Sequence, residues 1–152
     1  MAGLSTYELG FDTTDATGGV VIVEIAAGAN KPMQILELNV NAAAAQGDIF
    51  FGRPGATIGA GGTFLHATQP VDLPATGGAS VGGIYLDWTT RPLGPAAGDT
   101  ITDFRVASGS NFYWTQSWEP GEMIVDPTSR ATSLVLKRVG TTLFQGFVKW
   151  LE

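Results

Sequence analysis

The sequence predicts an all-β fold, an antiparallel sandwich of nine or ten short strands on the jelly-roll plan, and three features carry that prediction. Apolar and polar residues alternate at period two in segment after segment, the pattern of a half-buried strand. Glycine makes up 21 of 152 residues, about twice its usual share of ~7%. It clusters between those segments, at Gly18-Gly19, Gly59 with Gly61-Gly62, Gly77-Gly78 and Gly82-Gly83. No stretch shows the 3.6-residue repeat of an amphipathic helix. Short strands, glycine-rich turns and no helix leave a sandwich as the way to bury one face of every strand.

Each element follows from its own pattern. In VVIVEI (20–25), Val21, Val23 and Ile25 share a face that Glu24 does not. In QILELNV (34–40), Leu36, Leu38 and Val40 oppose Glu37 and Asn39. Ala42 to Ala45, before Gln46-Gly47, read as a single turn or a loop. Ile84, Leu86 and Trp88 oppose Asp87 in IYLDWT (84–89), and Phe104 and Val106 oppose Asp103 and Arg105 in TDFRVA (102–107). Leu134 and Leu136 oppose Val135 and Lys137 in SLVLKR (133–138). The last segment, LFQGFVKWLE (143–152), sets Phe144, Val148 and Trp150 against Gln145 and Lys149. Less regular alternation adds strands at 4–9, 48–53 and 122–126.

The length suits one domain spanning 1–152, with a real core. Charged residues are 14% of the chain, against roughly 25% in ordinary soluble domains. So bare a surface is either wetted by Ser, Thr, Asn and Gly or covered by other subunits, where buried charge would be costly. A net charge of -6 and a pI near 4.6 provide no basic field for a phosphate backbone, so nucleic acid is not an expected partner. The absence of cysteine excludes disulfides and thiolate metal sites. MAGLSTYELGFDTTD has neither the charged nor the apolar region of a secretion signal, and no apolar run approaches the ~20 residues of a transmembrane helix. The expectation is a soluble protein made in a cytoplasm, without a membrane partner.

Reactive constellations are scarce. His66 is the sole histidine and lacks a second ligand for a metal. GASVG (78–82) matches the GxSxG pattern around Ser80, but no helix is predicted after it and His66 precedes the serine. The carboxylate pairs Asp99/Asp103, Glu119/Glu122 and Asp12/Asp15 suit solvated edges and turns better than glycosidase chemistry, and no calcium-binding loop or nucleotide motif is present. We therefore expect no catalytic residue, cofactor or metal.

The densest aromatic cluster is NFYWTQSWEP (111–120). As a strand it puts Phe112, Trp114 and Trp118 on one face and Tyr113 on the other. Core packing or a subunit contact accounts for most of it; exposed rings beside Asn111 and Gln116 would instead make a sugar platform. Candidate subunit contacts are the apolar residues expected on the wet face, Ile35, Val135 and Phe147. Candidate ligand contacts are Tyr85, Tyr113 and Trp118.

The order ILELNVNAAAA (35–45), FFGRPGATIG (50–59), WTTRP (88–92), SLVLKRVGTT (133–142) and FVKWLE (147–152) resembles a group of small virion proteins of tailed bacteriophages. The resemblance implies a jelly-roll-like capsid decoration, or cement, protein, commonly a homotrimer, whose partners are its own copies and the major capsid protein. It further implies a virion location after synthesis in the host cytoplasm, a turn at Arg53-Pro54, and a last strand locked in by Trp150 and Glu152. The alternative is a tail or fibre accessory, or a receptor-recognition module that binds host glycan.

Overall fold

The computed structural model describes residues 4–42, 44–72, 78–95, 100–115 and 123–152, with the backbone alone at 100 and 102–104. The strands are β1 (Thr6–Asp12), β2 (Val21–Ala26), β3 (Met33–Ala42), β4 (Gly47–Gly52), β5 (Phe64–His66) and β6 (Gly83–Tyr85). They continue with β7 (Thr100–Val106), β8 (Asn111–Thr115), β9 (Ile124–Val125), β10 (Leu134–Arg138) and β11 (Phe144–Leu151). Among the described residues a single 3-10 turn, Arg130–Thr132, is capped by the Ser129 side chain.

Two antiparallel sheets result. One runs β1-β11-β3-β8, with β9 also on β3; the other runs β5-β6-β2-β10-β4-β7. Leaving aside the short β5, β6 and β9, the strands pair first with last (β1–β11), second with seventh (β2–β10), third with sixth (β3–β8) and fourth with fifth (β4–β7). Successive pairs alternate between the sheets, which is the jelly-roll plan. The predicted sandwich is the fold observed, with β5 as an added short strand.

The core lies between the sheets. Leu38, Val40, Val148 and Trp150 from one face meet Val23, Ile25, Phe51, Leu134 and Leu136 from the other, all fully buried. Tyr7 stacks on Trp150 at 5.8 Å, and Phe51 meets Trp114 edge-on at 6.1 Å. Phe112 and Trp114 turn inward and Tyr113 outward, as their parity predicts.

Two bulges overturn part of the expected facing. Glu37 lies opposite Lys149 but Ile35 lies opposite Trp150, so Leu36 is an extra residue in β3. An extra residue reverses parity. Ile35, expected to point outward as a subunit contact, is therefore fully buried in the core, and Leu36 only partly so. In β2, Val23 lies opposite Leu136 and Val21 opposite Lys137, so Ile22 joins the core while Val21 lines a cleft with Gly55, Pro92 and Lys137.

Val135 does lie on the outer row of its sheet, between Glu24 and Gly52, yet it too is fully buried. Its cover comes from the same chain: a Cβ placed on Gly94 would stand 2.7 Å from Val135 Cγ2 and 3.3 Å from Pro54 Cα. The apolar residue needs no second subunit. The predicted strand at 84–89 ends early, at Tyr85, because Asp87 accepts hydrogen bonds from Thr63 N at 2.6 Å and Thr63 Oγ1 at 3.0 Å and draws the chain off the sheet.

Candidate functional site

The outer face of the β1-β11-β3-β8 sheet is a ruled surface of side chains. Strand register sets three rows: Glu8, Lys149, Glu37 and Thr115; then Gly10, Phe147, Asn39 and Tyr113; then Asp12, Gln145, Asn41 and Asn111. Within a row, neighbouring side chains stand about 5 Å apart, and rows are about 7 Å apart. The lower two rows, Tyr113 excepted, line an open depression of about 540 Å³.

Asn41 Nδ2 donates to Asn111 Oδ1 at 2.6 Å, tying β3 to β8 across this face. Glu37 pairs with Lys149 at 3.8 Å. The Glu37 carboxylate beside the Tyr113 hydroxyl pushes the phenol pKa up, and the Tyr113 ring is 54% exposed. Phe147 is half-buried and outward, as its alternation predicts. Trp118 and Gln116 lie outside the described residues.

The outer face of the other sheet is taken up by a charge network. Glu24 is completely buried, and its carboxylate accepts from Arg130 Nε at 3.1 Å, Arg130 Nη2 at 2.5 Å and Trp88 Nε1 at 2.6 Å. The Arg130 guanidinium also sits 3.9 Å from the Tyr85 ring centre, and Phe64 packs on Tyr85 at 4.8 Å. Tyr85, a candidate ligand contact, is thus half-buried with its ring engaged by two neighbours. Arg91 lies over Trp88 and pairs with Asp15 at 2.5 Å; bonds from Thr17, then from Arg91, hold the Asp15 carboxyl far below the usual carboxylate range.

Of the residues weighed for catalysis, the described ones have structural partners or face solvent. Ser80 is buried; its hydroxyl accepts from Ala67 N at 2.9 Å and donates to the Gly82 carbonyl at 2.7 Å, which joins two loops. His66 is exposed beside Phe64. Asp99, Glu119 and Glu122 lie outside the described residues, and among the described residues no three His, Cys, Asp or Glu side chains gather as metal ligands.

A third surface carries exposed apolar side chains beside the Asp72 carboxylate, which accepts a hydrogen bond from Thr6 N. Segment 67–72 leaves β5 and crosses to β1, where Val71 N donates to Thr6 O at 2.8 Å. The Glu152 carboxylate accepts from Val81 N at 2.7 Å and Gly82 N at 2.8 Å, while its backbone pairs with Ser5. These bonds gather Leu4, Val71 and Val81, exposed by 68%, 49% and 37%, on the side of the sandwich that also carries β5 and its exposed Leu65. The sequence held a weak signal for this surface, since Leu65, Val71 and Val81 fall outside the alternating segments and Leu4 only begins one. Comparison with protein-family models, curated proteins and solved structures gave no match to this chain.

Proposed function

We propose that the chain is a structural protein of a tailed-phage particle, a capsid decoration protein that is built into the virion as a homotrimer. It works by packing against its own copies and the major capsid protein, and it needs no catalysis. The observation that carries this reading is the set of exposed apolar side chains Leu4, Leu65, Val71 and Val81 on a domain with few charges. Covering such a surface is favourable by roughly 25 cal/mol per Å², and a closed ring of identical subunits repeats the gain without leaving an open end. Repetition over a shell would strengthen it against internal pressure.

Light scattering of the purified chain tests the reading. The expected mass is three times the 15.9 kDa of one chain at every working concentration. Leu65→Asp combined with Val71→Asp is expected to give a monomer that still unfolds cooperatively, at a lower melting temperature than the trimer because the contribution of association is gone. A native monomer at all concentrations, or a trimer indifferent to both substitutions, would overturn it.

A further inference from the structure

We infer that the depression on the outer face of the β1-β11-β3-β8 sheet binds a neutral oligosaccharide. Four primary amides, Asn39, Asn41, Asn111 and Gln145, converge there from three strands. A side-chain amide carries two donors and an acceptor in one plane, which matches sugar hydroxyls that both give and receive hydrogen bonds. The Asn41–Asn111 bond fixes two of the four while leaving Asn41 an acceptor and Asn111 its donors. Among the described residues, the amides of Asn39 and Gln145 have no partner, so they are free to meet a ligand.

The other side chains fit the same occupant. Phe147 shares a row with Gly10 on one side and Asn39 on the other. With no side chain at Gly10, the Phe147 ring is left open toward β1, where the apolar face of a pyranose can stack. The volume of about 540 Å³ falls within the roughly 300–1,000 Å³ of small-ligand sites. Charge decides against the rivals. The amide rows include no cation, Asp12 closes one end and the chain carries -6, so a phosphate or sulfate ligand would be repelled. An apolar protein partner would strand four amides without hydrogen bonds.

This binding role uses residues other than those four exposed apolar side chains, so either reading can fail alone. Gly10 provides the decisive variant. A Cβ there would meet its nearest heavy atom, Gly146 O, at an ordinary 3.6 Å, so Gly10→Thr fits the strand and projects over the Phe147 row. The experiment titrates the full chain with maltohexaose, cellohexaose, chitohexaose and mannohexaose, and with a heparin hexasaccharide as the anionic counterpart. Side-chain amide signals are followed in nitrogen–proton correlation spectra.

The expected result is saturable movement of the Asn39, Asn41, Asn111 and Gln145 signals by at least one neutral sugar and none by heparin. Gly10→Thr is expected to weaken binding roughly tenfold or more with no loss of melting temperature, and Phe147→Ala to weaken it as well. The inference is overturned if no neutral sugar moves these signals, if heparin does so instead, or if Gly10→Thr binds as tightly as the native chain. It is equally overturned if the signals shift with protein concentration alone, which would mean that a second copy covers the face.

Discussion

Glu24 occupies a position that alternation assigns to the wet side of a strand, and it is nonetheless wholly buried. Its charge is tolerable because every direction of approach is filled by a donor: two Arg130 nitrogens on one side and the Trp88 indole on the other. A buried ion pair adds little against an apolar pair of the same shape, but losing one partner strands the other. Arg130→Ala is therefore expected to cost about 3 kcal/mol in urea unfolding. The exposed Arg105–Asp48 pair, closer to ideal with contacts of 2.6 and 3.0 Å, makes the contrast, and Asp48→Ala is expected to leave the urea midpoint in place. An unchanged midpoint for Arg130→Ala would mean that water, not arginine, satisfies Glu24. The sequence showed a charged residue among valines and isoleucines; it could not show that Arg130, 106 residues later, would close over it.

At the scale of the element, alternation located most strands and the bulges redirected their faces. Nothing in QILELNV marks Leu36 as an extra residue, since the bulge exists only relative to Lys149 and Trp150 on β11. That is why Ile35 read as outward and is buried. β5 was missed for a related reason: three residues are too few for a period to be visible, and Phe64–His66 is a strand because β6 lies beside it. The candidate site was legible only in halves. Asn39 and Gln145 were readable as wet-face residues of their own strands, but their meeting depends on register. Register also makes Gly146 a tight crossing. A Cβ there would stand 1.9 Å from the Asn39 carbonyl oxygen, a backbone atom that cannot swing aside. Gly146→Val is expected to destabilise the protein by about 2 kcal/mol or more and to remove hydrogen-exchange protection along the β3–β11 seam. Retained protection at native stability would show that the seam accommodates the added side chain without parting.

For the molecule as a whole, the last strand is the keystone of one sheet, because β11 lies between β1 and β3. Trp150 stacks on Tyr7, and the Glu152 carboxylate holds the backbone of Val81 and Gly82. Deleting 147–152 is expected to unfold the chain, read as loss of the cooperative thermal transition; a truncated form with native melting temperature would refute this. Such pairing of first with last also predicts slow folding, since the longest loop closes before its contacts repay the entropy. By itself the sequence determined the all-β class, the position of most strands and which rings of NFYWTQ enter the core, because those depend on residues two apart along one strand. Only the tertiary structure decided strand order, the fate of Ile35 and Val135, the closure over Glu24 and the gathering of four amides beside Phe147. These depend on register between strands as much as 145 residues apart, and a local pattern carries no information about register until the strands meet.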